Sequence, residues 1–169
     1  MNTIDIKAPA AMVRNFFLNP DIALRLNPSW HLKHIQAIQN NSYALTIYDD
    51  RTEDSCQVIL SVEILEKSIN YRINSDVIEF SAEEMSPAMT KLSIRGNLFR
   101  KEDLPYWLKG IQNYIMLEEK KSKIIKWLLD RFWLRMSPSQ RRIALILVIA
   151  EGIGLVALIA VVIVLQIMK

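Results

Sequence analysis

The sequence predicts an α+β domain, an antiparallel sheet of about seven strands packed by a long C-terminal helix, followed by one transmembrane helix. Three observations predict it. Residues 30–99 alternate apolar and polar side chains with a period of two, and short polar turns punctuate them. From Asp103 the pattern becomes a helical stripe of Leu104, Trp107, Leu108, Ile111 and Ile115. From Ile143 to Leu165 run 23 residues almost entirely of Ile, Leu, Val and Ala. At about 1.5 Å per residue such a helix reaches roughly 35 Å, enough for a hydrocarbon core of about 30 Å.

The elements follow in order. Thr3 to Lys7 places Ile4 and Ile6 on one side of a short strand that Ala8-Pro9 ends. Met12, Val13, Phe16 and Phe17 then recur at helical spacing, with Pro9 in the first turn, where its missing N–H leaves no bond unmade. A second short helix, Asp21 to Leu26, starts after Pro20 and stops at Asn27-Pro28, since a residue before proline avoids the helical region. Strands are expected at Trp30 to Gln39, Ser42 to Asp49, Ser55 to Leu65, Ser68 to Asn74, Val77 to Met85 and Met89 to Phe99. In the third of these Cys56, Val58, Leu60, Val62 and Ile64 share one face. In the fourth Ile69, Tyr71 and Ile73 do. Strands with one dry face are antiparallel.

The long helix begins at Asp103, an N-cap, with Pro105 in its first turn. Its apolar stripe fails at Glu118-Glu119-Lys120-Lys121-Ser122-Lys123, where the helix is expected to leave its domain. A second stripe, Ile124, Ile125, Leu128, Leu129 and Phe132, is joined by Trp127, Trp133, Lys126, Arg131 and Arg135, the composition of an interfacial amphipathic helix. Ser137-Pro138 breaks it. The chain therefore divides into a soluble domain at 1–122, a basic juxtamembrane segment at 123–142 and a span at 143–168.

The formal charge of +3 and pI near 9.0 do not mark a nucleic-acid binder. The excess collects just before the span, where cations meet anionic headgroups at about 1 kcal/mol each. Arg131, Arg135, Arg141 and Arg142 precede the apolar run and only Lys169 follows it, which by the positive-inside rule puts the domain in the cytoplasm. The first residues show no secretory signal, so insertion is expected to use the C-terminal segment as a tail anchor. Cys56 is the single cysteine, consistent with a reducing compartment, and is expected to be a buried thiol.

Ile4-Asp5-Ile6-Lys7-Ala8-Pro9, then Val13 and Phe16-Phe17, then Asn19-Pro20 and Leu26-Asn27-Pro28-Ser29-Trp30, resemble the opening of the START-like or Bet v 1-like superfamily, which includes polyketide cyclases and lipid transporters. The likeness runs from Met1 to about Glu119 and rests on the order of elements more than on any one residue. It implies a helix-grip fold, a curved sheet wrapped on the last helix around an apolar cavity. It also implies that Tyr71, Phe80, Tyr106, Trp107, Ile111 and Tyr114 line that cavity.

Other constellations carry less chemistry. His31 and His34 are three apart on a strand and are expected to point to opposite faces, as are the members of Asp49-Asp50 and Glu83-Glu84. No metal site, cofactor motif or Gly-rich phosphate loop is found, with glycine only at positions 96, 110, 152 and 154. Glu151 lies eight residues beyond Ile143, where a carboxylate costs about 2–3 kcal/mol unless protonated or paired. Ala150 and Gly154 beside it have the spacing that lets two helices approach closely.

Three functions remain open from the sequence. The leading one is a tethered, non-catalytic domain that binds a hydrophobic molecule (a lipid, isoprenoid or polyketide-like compound), with Trp127, Arg131, Trp133, Arg135, Arg141 and Arg142 at the bilayer interface. The second is an interaction or scaffold module that assembles with its own kind or with another membrane protein through Ala150, Glu151 and Gly154. The third is a cyclase or dehydratase-like enzyme, for which Asp5, Arg72, Glu79 and Arg95 are the available ionisable groups.

Overall fold

Short connections of two to four residues between alternating segments fold the middle of the chain into a meander. The computed structural model describes residues 2–49, 52–96, 102–119 and 123–167. In order these form β1 (Asn2–Ile6), α1 (Ala10–Phe16), α2 (Pro20–Arg25), β2 (Trp30–Gln39), β3 (Ser42–Asp49), β4 (Asp54–Ile64), β5 (Ser68–Ile73), β6 (Asp76–Ser86) and β7 (Met89–Gly96). After the sheet come α3 (Leu104–Glu119), α4 (Lys123–Arg131), a 3-10 turn (Trp133–Arg135) and α5 (Pro138–Ile167). Asn41 and Asn74 sit in the β2–β3 and β5–β6 turns at φ of 59° and 54°, a left-handed conformation that asparagine tolerates.

The strands form one antiparallel curved sheet in the order β1-β7-β6-β5-β4-β3-β2. The expected extension of the last strand to Phe99 falls on residues outside the described ones. α3 lies against β1 and presents the expected stripe, Leu104, Trp107, Leu108, Ile111 and Ile115, all buried. Gln112 ties it to the edge strand, its Nε2 donating to the Asp5 carbonyl at 2.6 Å. α1 packs on β6 and β7, and Arg14 donates to the Leu65 carbonyl at 3.1 Å and to that of Glu66.

Several expectations are corrected by how far the sheet outruns its helices. Cys56 is exposed, not buried, because β4 from Asp54 to Gln57 projects beyond the helical cover. Leu60 and Val62 are buried as expected, whereas Ile64 is exposed at the strand end. The two histidines do not diverge. A register shift places Lys33 as an extra residue in β2, so His31 pairs with Tyr48 and His34 with Thr46, two positions apart on one face of β3. Among the described residues no group of three or more His, Cys, Asp or Glu is placed to hold a metal ion.

α5 begins at Pro138, five residues before the expected span, because proline suits the first helical turn. Its apolar stretch is not buried in the protein and is long and apolar enough to cross a membrane.

Candidate functional site

The interior between sheet and α3 is filled by aromatic rings. Phe80 on β6 stacks on Phe17 at 4.3 Å between centroids and meets Tyr71 at 4.8 Å and Trp107 at 5.6 Å edge-on. Such pairs add about 0.5–1.5 kcal/mol each beyond the area they bury. The polar tips are satisfied: the Tyr71 hydroxyl donates to the Phe17 carbonyl at 2.6 Å, and Trp107 Nε1 donates to that of Ala23 at 2.8 Å. Burial, with Tyr43 nearby, holds the Tyr71 pKa well above its usual 10.0. Of the residues expected to line a cavity, Tyr71, Phe80, Trp107 and Ile111 therefore meet as packed core.

Tyr106 is the correction. It is 73% exposed, because it lies one position before Trp107 on α3 and so faces away from the sheet. The ionisable residues weighed for catalysis also lie outside the core. Asp5, Arg72 and Arg95 are exposed, Glu79 is half-buried opposite Arg95 on the next strand, and Arg72 pairs with Glu63 at 3.6 Å. Among the described residues the buried polar side chains outside the aromatic core are Asn27, Ser68, Thr90 and Ser93.

The segment after α3 returns to the domain. Leu134 is 2% exposed and joins the core, and its 3-10 turn touches α2 and β2. Arg141, expected among headgroups, is half-buried: its guanidinium donates to the carbonyls of Trp133 at 3.0 Å, Leu134 at 3.1 Å and Arg25 at 2.9 Å. Trp133 likewise packs on the core instead of standing free. The base of α5 is thus clamped to α2. By contrast Trp127, Arg131, Arg135 and Arg142 are exposed, and Trp127, in edge contact with Phe132 at 5.8 Å, continues an apolar face with Ile125 and Leu128. Ala150, Glu151 and Gly154 are exposed on α5 and edge a hollow of about 560 Å³ with Leu147, Leu155 and Leu158.

A groove of about 630 Å³ opens outside the grip, where α1, the start of α2, α3 and α4 converge. That is within the range of about 300–1,000 Å³ of small-molecule sites. Pro9, Ala11, Met12, Phe16 and Ile22 give it apolar walls. Among the described residues Asn15, Asn19 and Lys126 supply its polar groups, and no carboxylate lines it. Tyr114, one of the residues expected at a ligand, closes it: its ring lies 5.7 Å from Phe16, its hydroxyl donates to Asp130 at 2.8 Å, and Lys126 Nζ stands 5.5 Å over its face.

Sequence reading missed the other groove residues. The only trace was Met12 and Phe16, four apart on a helix, with Asn15 and Asn19 following the same face. What joins them to Lys126 is the return of α4, which no local pattern encodes.

No protein-family model matches the chain, and no curated protein matches it in sequence. Solved structures do match in shape. The chain is similar to the ZhuI aromatase/cyclase from Streptomyces sp. R1128, at a TM-score of 0.55 and 10% identity over 72% of this chain and 95% of that one. A protein from Deinococcus radiodurans matches at 0.53 and 12% identity, over 69% and 95% of the two chains. The di-domain aromatase/cyclase StfQ of the steffimycin biosynthetic pathway matches at 0.52 and 12% identity, over 71% of this chain and 46% of its own length. With its seven-stranded curved sheet and long α3, the chain has the helix-grip fold of the START-like, or Bet v 1-like, proteins.

Proposed function

We propose that the chain is a membrane-tethered helix-grip domain that binds an apolar small molecule or lipid without chemical conversion, in the groove between α1 and α4. The observation that carries the reading is the position of that groove. One of its walls is α4, which together with Phe132 just beyond it also presents Ile125, Trp127 and Leu128 to the outside next to an exposed apolar helix long enough to span a bilayer. In this reading α5 spans the membrane, the basic flank keeps the domain on the cytoplasmic side, and α4 lies in the headgroup layer. A ligand then passes between bilayer and groove without crossing bulk water. Clamping by Arg141 gives the groove one fixed attitude to the surface, unlike a flexible linker.

The test uses the full chain reconstituted in phosphatidylcholine vesicles and a fluorescent polyene fatty acid excited by energy transfer from tryptophan. Ala11→Phe places a ring in the groove at an exposed helical position, where the fold tolerates it. Transfer that saturates near one probe per chain and falls at least severalfold in Ala11→Phe is expected. Transfer equal in the two proteins would refute the groove as the site.

A second reading is favoured by the hollow along α5. Ala150 and Gly154 leave room there for a neighbouring helix, and Glu151 at its edge would gain a partner in the membrane. The chain would then act by assembling with itself or with another membrane protein. Glu151→Leu with cross-linking in vesicles separates the two, since it should reduce dimer yield and leave probe binding unchanged.

A further inference from the structure

We infer that α5 docks, inside the bilayer, against a helix of a second membrane protein that carries a lysine or arginine at the depth of Glu151. The inference rests on the reading of α5 as a membrane span and commits its assembly to one kind of partner, a cationic helix.

Glu151 is the only ionisable residue between Ile143 and Met168, and the chain brings it no counter-charge. Arg142 and Arg141 stand nine and ten positions before it, roughly 14–15 Å along the axis at about 1.5 Å per residue. Nine positions are two and a half turns, so Arg142 leaves the opposite face of the helix. The Arg141 guanidinium is turned to the carbonyls of Trp133, Leu134 and Arg25. Among the described residues none forms a hydrogen bond or ion pair with Glu151. A carboxylate eight residues, about 12 Å, into hydrocarbon is costly until it meets an opposite charge.

The helix surface around Glu151 has room for such a neighbour. Leu147, Ala150, Gly154, Leu155 and Leu158 lie with it along one face and border the hollow of about 560 Å³. Apart from its own helix backbone and chain neighbours, an added Cβ at Gly154 meets nothing within 4 Å. A partner backbone can therefore come close at Ala150 and Gly154, and a lysine or arginine can lay its aliphatic stem along the leucines and bring its charge to the carboxylate. A second copy of this chain fits the shape and not the charge. Two α5 helices meeting on this face would bring two carboxylates together with no cation on either span.

The experiment reconstitutes the full chain in phosphatidylcholine vesicles with leucine-rich transmembrane peptides that carry a photoactivatable leucine and, near the centre, Lys, Gln or Leu. Adducts are mapped by peptide mass spectrometry, and protease protection of α5 in the same vesicles reports insertion. Adducts on residues 147–158 are expected to be about tenfold more abundant with the Lys peptide than with the Leu peptide, with the Gln peptide well below Lys. Glu151→Leu should bring the Lys and Leu peptides to parity. Gly154→Leu, which fills the hollow and leaves the carboxylate, should lower the Lys adduct severalfold. Equal adducts with the Lys and Leu peptides, or with Lys and Gln, on an inserted parent chain would overturn the cationic partner while leaving the span standing. A preference that survives Glu151→Leu would overturn the assignment to Glu151, and one unchanged in Gly154→Leu would overturn the hollow as the docking face. An unprotected α5 would overturn the span and the inference together.

Discussion

Replacing Leu134 with alanine tests whether the segment after α3 belongs to the domain. The side chain is 2% exposed, belongs to the continuous core and sits in a turn that touches α2 and β2. Truncating such a leucine removes its transfer free energy and leaves a cavity that only partly collapses, a combined loss of about 2–5 kcal/mol. The lower half of that range applies here, because the turn lies at the margin of the core and its neighbours can close in. Leu128, on the outer face of α4 and 47% exposed, supplies the control, with an expected loss below about 0.5 kcal/mol. Urea unfolding of the full chain in mild detergent, followed by tryptophan fluorescence, reads the difference. With m near 1–3 kcal/mol/M, a loss of about 2.5 kcal/mol lowers the midpoint by roughly 0.8–2.5 M, about five times the largest shift expected for Leu128→Ala at the same m. Equal midpoints for the two variants would refute the docking of this segment, and with it the fixed attitude of α5.

Phe80→Ala should cost about 3–5 kcal/mol, since Phe80 is the ring on which Phe17, Tyr71 and Trp107 converge; a loss under about 1 kcal/mol in the same assay would mean the interior is not packed. Tyr71 predicts alkaline instability. Its folded pKa lies above its unfolded value near 10.0, so its contribution is complete below pH 10 and is lost as pH rises from there toward the folded pKa, at up to about 1.4 kcal/mol per pH unit. Midpoints at pH 9 and pH 11 should diverge more for the parent than for Tyr71→Phe, and parallel behaviour would contradict the burial of that hydroxyl. Cys56, exposed at the projecting end of β4, should react with a soluble maleimide in the folded chain at nearly the unfolded rate. Protection of more than about tenfold would contradict its placement.

The fold was legible because its determinants are local and periodic. Alternation placed β2 and β3 at their observed ends, the stripe from Leu104 to Ile115 marked the buried side of α3, and Asn40-Asn41 marked a turn. Periodicity reports a dry face, not what covers it. Cys56 and Ile64 keep the alternation of Leu60 and Val62, yet they stand near the two ends of β4 and are exposed. The histidine pair was misplaced for a related reason: the extra residue at Lys33 reverses the facing of everything beyond it, and bulges leave little trace in composition. Trp107 and Tyr106 are adjacent aromatics on one helix, and only helical phase separates the buried one from the exposed one.

The candidate site was less legible because it is made by the chain doubling back. Arg141 reads as a membrane-facing cation in a basic run, and its three carbonyl partners become visible only once α2 and the 3-10 turn lie beside it. Tyr114 was singled out for a cavity inside the grip and instead borders a groove outside it, because Asp130 and Lys126 of α4 engage it from the other side.

A groove that serves the membrane should carry a bilayer lipid when the chain is taken from one. Mass spectrometry of the intact full chain, released gently from vesicles of mixed neutral and anionic phospholipids, measures this in one spectrum. A single phospholipid adduct on the parent chain, largely lost in Ala11→Phe, is the predicted result. A bare parent chain, or an adduct of equal abundance in Ala11→Phe, would contradict it.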